Sequence, residues 1–177
     1  RLALRDATTA SDNAAFGNAA LLVNTTGASN TAIGSAALVA NTTASYNTAV
    51  GTSGLAANTT GASNTAVGYY ALLTATTADA NTAVGSAALK LLTTGSSNTA
   101  VGCAAGDSIT GAVQNTIVGM EALQASTTGG NNVAVGYHAL YLNTASENTA
   151  VGTYSLDANT TGANNCAVGY NTLGTNT

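Results

Sequence analysis

Small apolar and small polar residues follow one another along this chain in an order that returns every 17 residues. We number the positions of each repeat from the Asn of its Asn-Thr-Ala-Val-Gly motif, which is position 0. This Asn stands at residues 13, 30, 47, 64, 81, 98, 115, 132, 148 and 165, with a single step of 16 after residue 132. A fixed short period of this kind predicts a repeat architecture in which each repeat is one structural unit.

Several positions carry the same residue type in nearly every copy. Position 3 is Val or Ile in nine copies, position 4 is Gly in all ten, and position 8 is Leu in nine. Positions 2 and 7 are mostly Ala, and positions 12 to 14 are usually Thr-Thr-Gly or Thr-Thr-Ala. The columns are represented by Asn30, Asn47, Asn64, Asn81, Gly34, Gly51, Gly68, Gly85, Val50, Val67, Val84, Leu38, Leu55 and Leu72.

Each repeat predicts a short strand followed by turns. Asn-Thr-Ala-Val-Gly has alternating β-formers and ends at Gly, as a strand entering a turn does. We expect the Ala-Ala-Leu segment that follows to be a second short strand or an extended arm. We expect Asn-Thr-Thr-Gly to be a polar turn whose Asn and Gly adopt positive φ. A helix is disfavoured because the recurring Gly and Thr-Thr-Gly interrupt any 3.6-residue apolar stripe.

One repeat buries only about one Val, one Leu and two Ala, which is too little to fold alone. Stacked repeats solve this problem, because parallel strands pair from coil to coil and each position becomes a ladder of like side chains. The sequence therefore predicts an all-β parallel solenoid of about ten 17-residue coils. We expect residues 1–12 to form a partial first coil in register, and residues 13–177 to form the solenoid without separate caps. At about 4.8 Å per coil, the rod is roughly 50 Å long.

Two irregularities fit this architecture. The one-residue deletion lies between Asn143 and Asn148, in the polar turn, where a solenoid tolerates changes of length. In residues 103–114 the position-8 Leu is replaced by Gly106, and Ile109 is a candidate to fill the space. We expect a local distortion there.

Composition excludes several classes of function. Only 6% of the residues are charged and Lys plus Arg total three, too few to neutralise a nucleic acid. No apolar stretch approaches the ~18 residues of a membrane helix. The chain begins at Arg1 without Met or a leader pattern, so we expect a processed product or an excised fragment. Neither end carries a capping segment, which predicts open β-edges able to pair with another chain.

No constellation of reactive side chains predicts an enzyme, a metal site or a cofactor. The acidic residues occupy mixed positions, and no two in adjacent coils share a column; they are Asp6, Asp12, Asp79, Asp107, Glu121, Glu147 and Asp157. The single histidine, His138, is expected to be a surface residue. Cys103 and Cys166 lie four coils apart, about 19 Å along the axis, so we expect free thiols or a bond between chains.

Two surface features are candidates for recognition. Aromatic residues recur at positions 5 and 6; they are Tyr69, Tyr70, Tyr137, Tyr154 and Tyr170. The last three form a ladder over successive coils, which would stack on a sugar ring or another chain, or pack rung against rung within the coil. The other feature is the Thr column at position 1. It is interrupted at Val133 and Cys166, and it shares a strand face with the position-3 Val residues, which we expect in the core. Regular Thr arrays on flat solenoids are typical of ice-binding proteins. Four Asn-Thr-Thr sequons are expected on the outer turn and would matter only in a glycosylated protein; they begin at Asn24, Asn41, Asn58 and Asn159.

The Asn-Thr-Ala-[Val/Ile]-Gly core followed by two small residues and Leu resembles the head repeats of YadA-like trimeric autotransporter adhesins. It is also similar to repeats of phage tail fibres and related bacterial surface proteins. The resemblance covers residues 13–177, and residues 1–12 in register. It implies a left-handed parallel β-roll that assembles as a homotrimer. The adhesin repeats are shorter than 17 residues, which leaves a three-sided coil or a single-chain filament as alternatives.

These observations predict a non-catalytic structural or adhesive module of an extracellular or virion fibre: a filament shaft, an adhesin head or a tail fibre. The expected partner is the chain itself, as a homotrimer or an end-to-end filament, with a surface glycan or receptor as a further candidate. Nucleic acid and membrane insertion are not expected. The alternative from a different class is an ice-binding solenoid that presents its Thr array.

Overall fold

A computed structural model describes residues 3–175 as one stack of ten short parallel strands. The strands follow one another in the sheet in chain order, from β1 to β10. Each has three residues and starts directly after the position-0 Asn. Their bounds are Ala14–Phe16 (β1), Thr31–Ile33 (β2), Thr48–Val50 (β3), Thr65–Val67 (β4), Thr82–Val84 (β5), Thr99–Val101 (β6), Thr116–Val118 (β7), Val133–Val135 (β8), Thr149–Val151 (β9) and Cys166–Val168 (β10).

Like residues lie directly above one another in successive strands. Thr48 pairs with Thr65, and every other pairing has the same 17-residue offset except that of β8 with β9, where Val133 pairs with Thr149. Backbone hydrogen bonds between coils continue outside the strands, as from Leu38 N to Gly54 O at 3.0 Å. The predicted all-β parallel solenoid is confirmed. Its handedness stays a prediction.

The N-terminal residues bond to the first full coil. The amide of Leu4 donates to Ala20 O at 3.0 Å, and the amide of Thr8 donates to Thr25 O at 3.0 Å. A complete coil placed before the first one in the same register would form these same hydrogen bonds.

The interior of the coil is lined by Asn, Ala and Leu, and not by Val. Position 0 Asn, position 2 Ala and position 8 Leu are fully buried in the central coils, as Asn64, Ala66 and Leu72 illustrate. The position-3 side chains lie on the outside, with exposed fractions of 39% at Val101 and 68% at Val168. The expectation that Val50, Val67 and Val84 form a core column is therefore wrong: they are half-buried on the outer face. In a strand, positions 0 and 2 share one face and positions 1 and 3 share the other.

The position-0 amides form a continuous buried ladder. The backbone N–H of Asn64 donates to Asn47 Oδ1 at 2.9 Å, and its Nδ2 donates to Ala78 O at 2.7 Å. Its own Oδ1 accepts from the backbone N–H and the Nδ2 of Asn81, at 3.0 and 3.2 Å. Each amide thus bonds its neighbours above and below and also fixes the polar turn of its own coil. This satisfies polar groups that would be costly to bury alone.

A second amide ladder lies at position 11 and stops where the residue type changes. Asn41 Nδ2 donates to Asn24 Oδ1, and Asn58 Nδ2 donates to Asn41 Oδ1, both at 2.9 Å. The next coil has Ala75 at this position, so the buried Asn58 Oδ1 has no hydrogen-bond partner. Apolar residues then fill the column as far as Ile109. Asn resumes at residue 143, whose Oδ1 accepts from Asn159 Nδ2 at 2.7 Å.

The chain turns by placing three non-glycine residues per coil in the left-handed region. These are positions 6, 8 and 16, and the position-8 Leu residues have φ between 48° and 55°. The Ala-Ala-Leu segment is therefore a turn, so the prediction of a second strand or extended arm is wrong. Asn24 and Gly27 do not have positive φ, contrary to the prediction for the polar turn. No described non-glycine residue with positive φ is β-branched, consistent with the steric cost of that conformation.

The position-4 Gly is required by both conformation and space. Gly51 has φ of 131°, and a Cβ there would lie 2.5 Å from Gly68 O and 2.7 Å from Gly68 C. Every position-4 Gly has φ between 128° and 141°, a range that L side chains rarely adopt. The predicted glycine corner, including Gly34, Gly68 and Gly85, is therefore present.

Position 14 alternates between Gly and Ala from coil to coil. The order is Gly27, Ala44, Gly61, Ala78, Gly95, Ala112, Gly129, Ala145 and Gly162. A Cβ on Gly27, Gly61 or Gly95 would collide with the carbonyl oxygen of the Ala in the next coil. A 34-residue period, formed by two coils, is thus superimposed on the 17-residue one.

The irregular coil at residues 103–114 keeps the regular backbone. Gly106 has φ of 60°, close to that of the Leu it replaces, and its N–H donates to Ala122 O at 3.0 Å. The vacated space is filled by Ile117 and Ile109, both fully buried; their Cδ1 atoms lie 2.8 and 3.0 Å from where a Gly106 Cβ would be. The expected replacement by Ile109 is confirmed, whereas the expected distortion is wrong.

Two neighbouring glycines provide a matched test of the corner. We predict that Gly51→Ala lowers the free energy of unfolding by about 3 kcal/mol or more, because the new Cβ meets the next coil's backbone in a strained conformation. Gly54→Ala is expected to be neutral or stabilising by up to about 1 kcal/mol, because its Cβ would lie 3.5 Å from Ala49 Cβ and Ala occupies position 7 in most coils. Urea unfolding followed by circular dichroism measures both. Equal effects of the two substitutions would contradict this role of the corner.

The amide ladder predicts a large cost for removing one rung. Asn64→Ala leaves the Asn81 amide without its acceptor and Ala78 O without its donor, so we expect about 3 kcal/mol of destabilisation. Thr60→Ala, at an exposed site of the adjacent turn, should change stability by less than about 0.5 kcal/mol. The same unfolding measurement applies. A loss below about 1 kcal/mol for Asn64→Ala would show that the ladder contributes little.

Candidate recognition surfaces

The outward side of the ten strands forms one surface, which we call the strand face. It consists of the side chains at positions 1 and 3, which are mostly Thr and Val. Position 1 points outward with position 3, so the predicted Thr array is on the surface; Thr99 and Thr116 are exposed, and Thr48, Thr65 and Thr82 are half-buried between neighbours. Adjacent rungs are about 4.8 Å apart, and the two columns are separated by two residues of strand, about 6.6 Å.

The strand face carries an apolar stripe and no charge. Its position-3 side chains include Phe16, Ile33 and Val168, which are exposed by 76%, 42% and 68%. None of the residues at positions 1 and 3 of the ten repeats is charged. An ordered, uncharged, largely apolar surface of this kind is typical of an interaction surface.

Aromatic side chains of the last three coils form a second surface at the corner after the position-4 Gly. We call it the aromatic patch and define it as Tyr137, His138, Tyr141, Tyr154 and Tyr170. Tyr137 and Tyr154 meet edge to face with ring centres 5.3 Å apart, and Tyr154 and Tyr170 do so at 6.4 Å. His138 stacks on Tyr137 at 4.0 Å and on Tyr141 at 4.2 Å. The predicted ladder of Tyr137, Tyr154 and Tyr170 is therefore brought together.

Polar contacts tie the patch to the coil before it. His138 Nε2 lies 2.7 Å from Glu121 Oε2, with the two side chains at position 6 of successive coils. The pKa of Tyr137 is raised above its usual value, mainly by a hydrogen bond with Tyr154 and to a lesser extent by burial. Glu121 and Tyr141 were not singled out from the sequence. The sequence does predict the contact of Glu121 with His138, because the two residues are 17 apart and therefore lie one coil apart at the same position.

The other predicted tyrosines form a separate pair. Tyr69 and Tyr70 stack on each other with ring centres 3.7 Å apart. A hydrogen bond with Tyr70 raises the pKa of Tyr69. This pair lies four coils before the aromatic patch and does not join it.

The remaining polar side chains are dispersed. Among residues 3–175, no three His, Cys, Asp or Glu side chains come close enough to hold a metal ion. Cys103 and Cys166 are both exposed, and neither forms a disulfide within the chain. Within the same range there is no helix of the length and hydropathy needed to cross a bilayer.

The four sequon asparagines are buried, which corrects the prediction that they lie on the outer turn. Asn24, Asn41, Asn58 and Asn159 have no exposed surface, and their amide groups bond inside the coil. A glycan on any of them is incompatible with the folded chain.

The chain matches no protein-family model, no curated protein and no solved structure. The similarity to YadA-like head repeats therefore stays a prediction from the repeated motif. Any functional proposal rests on the two surfaces described above.

Proposed function

We propose that this chain is a non-catalytic structural and adhesive repeat module of an extracellular or virion fibre, and that its copies associate side by side through the strand face. The observation that carries the proposal is the uncharged, outward-facing surface, mostly of Thr and Val, that continues over all ten strands. Such a face leaves apolar groups in water in a single copy. A second copy of the same face would cover them.

The construction of the rod supports a mechanical role. Hydrogen bonds join each coil to the next in the strands, in the turns and through the buried amides, so bending or fraying one coil requires breaking bonds to two others. Stability in such a stack is the sum of coil and interface contributions. The repeat motif's similarity to adhesin heads and tail fibres favours a homotrimer and an extracellular or virion location.

End-to-end stacking is the other mode of assembly. Successive strands pair in parallel and in register, so a coil of another copy would meet the bonding pattern that joins β4 to β5. Edge strands with free backbone groups are templates for another chain. A filament would extend the same ladder from one copy into the next.

A second candidate function is ice binding, which one observation favours. The Thr side chains of position 1 point outward, in register, on an uncharged sheet surface. Hydroxyl and methyl groups on such a regular grid could order water, and Val on the same face does not exclude this. Lateral assembly and ice binding would use the same surface, so they compete.

Lateral assembly predicts an oligomeric mass that depends on the strand face. We expect the chain to sediment at a multiple of its 17.0 kDa mass, with three copies favoured. Val67→Glu places a charge in the middle of the face and should shift the chain to monomers, because that charge would be desolvated at the contact. Thr60→Glu, in the exposed turn, is the matched control and should leave the mass unchanged. A monomeric wild-type chain at high concentration would contradict lateral assembly.

The two functions also predict different thiol reactivity and ice activity. Cys166 lies on β10 in the strand face, whereas Cys103 lies at the corner. In a lateral assembly Cys166 should therefore react with a thiol reagent at least about tenfold more slowly than Cys103. This ratio of rates corresponds to 1.4 kcal/mol of protection. In an ice-binding monomer both thiols should react. The monomer should also show thermal hysteresis, and Thr82→Tyr should abolish that hysteresis. Absence of hysteresis and ice shaping in the wild-type chain would remove the ice-binding alternative.

A further inference from the structure

The aromatic patch adjoins both hydrogen-bonding and apolar side chains. Positions 5, 6 and 9 of the last four coils include Glu121, Gln124, Thr153 and Asn171, together with Met120, which is 46% exposed. The polar groups among these offer hydroxyl, amide and carboxylate contacts at the edges of an apolar platform. A surface that combines ring faces with such groups suits a ligand that is itself apolar on one side and polar at its rim.

The rings retain uncovered faces. Tyr170 is 75% exposed, and its ring contact within the described residues is with Tyr154, edge to face at an interplanar angle of 83°. The Tyr137–Tyr154 contact is also edge to face, at 78°. In an edge-to-face pair the edge of one ring covers a face of the other, and His138 stacks on Tyr137 at 4.0 Å, so Tyr170 has the most open ring of the row.

The charged side chains near the patch indicate which ligands it can bind. Glu121 is paired with His138 at 2.7 Å, so the carboxylate next to the rings already has a polar partner. The described basic side chains, Arg5 and Lys90, belong to distant coils, and Arg5 is paired with Asp6. Sulfated, phosphorylated or otherwise anionic ligands would find no counter-charge here.

We propose that the aromatic patch binds an extended neutral glycan, with one pyranose ring lying on the open face of Tyr170 and the following sugars contacting Tyr154 and Tyr137 along the rod. The C–H face of a pyranose is apolar and its hydroxyls lie at the rim, which matches the ring faces and polar edges of the patch. The rings recur at 5.3 and 6.4 Å along the rod, so the patch presents a row and not a single point. This inference deepens the adhesive part of the proposed function and rests on it.

The ligand could instead be a second copy of the chain. The strand face offers a larger and less polar surface for that purpose, extending over ten strands, whereas the patch covers the last coils only. The glycan is therefore the occupant that the residues favour. Self-contact through the patch is an outcome that the experiment below detects.

The test is an NMR titration of the full chain, with its tyrosine and histidine rings observed directly. The probes are cellohexaose and chitohexaose, both neutral, and a heparin hexasaccharide as the anionic control. We expect one or both neutral probes to shift the rings of Tyr137, Tyr154 and Tyr170 and of His138. The rings of Tyr46, 68% exposed on another turn, and of Tyr69 should not move.

Substitutions locate the site. Tyr170→Ala and Tyr154→Ala should each weaken binding by about tenfold, equivalent to 1.4 kcal/mol, whereas Tyr170→Phe should retain most of it because the ring remains. Tyr46→Ala is the matched control and should leave the dissociation constant unchanged. Tyr170 makes little contact with the coil, so its removal should leave the circular dichroism spectrum unaltered.

Three results would overturn the proposal. The first is the absence of ring shifts with either neutral hexasaccharide at millimolar concentration. The second is a response to heparin alone. The third is a loss of oligomeric mass in Tyr170→Ala, which would make the patch a contact between copies. Because sedimentation measures assembly separately, absent shifts with an intact oligomer would refute glycan binding and leave lateral assembly standing.

Discussion

Every coil of this chain depends on the coils above and below it for its hydrogen bonds. A 17-residue turn encloses a space that is too narrow for a layered core, so buried polar groups have to find partners one coil away. The Asn ladder meets this need, since one side chain accepts from the next coil, donates to its own turn and repeats without change. The repetition of the sequence is thus a consequence of the bonding pattern. A residue that differs in one coil leaves a partner unsatisfied in another, as at Asn58, where the amide ladder meets Ala75.

The narrow interior also decides what reaches the surface. Ala, Asn and a single Leu fill each coil, so the larger β-branched side chains are placed outside. This produces the uncharged strand face, with Thr and Val in register, on which the proposals of lateral assembly and of ice binding both rest. At the corner after each Gly, position 5 is exposed in most coils, and position 6 requires only a residue that tolerates positive φ. The tyrosines of the last coils can therefore vary from coil to coil without disturbing the ladder.

The period, the parallel register, the glycine corner and the tyrosine ladder could be predicted from the sequence, because each depends on spacing alone. The predicted inward orientation of Val50, Val67 and Val84 is wrong because the narrow interior takes the smaller Ala of position 2. Positions 0 and 3 lie on opposite faces of a strand, so the buried Asn places Val on the outside. The conformation at position 8 could not be predicted, because a buried Leu at φ near 51°, as in Leu72, costs roughly 1–2 kcal/mol and no residue propensity favours it. The sequence feature that accompanies it is the absence of β-branched residues at positions 6, 8 and 16.

Scalar couplings across backbone hydrogen bonds test the central claim most directly, because each coupling identifies a donor amide and its acceptor carbonyl. The account predicts couplings from the amide nitrogen of Thr48 to the carbonyl carbon of Asn64, from Thr65 to Asn81 and from Thr82 to Asn98, each joining residues of successive coils. Couplings between residues four apart, or pairings in which sequence separation changes steadily along a strand as in antiparallel sheets, would contradict it.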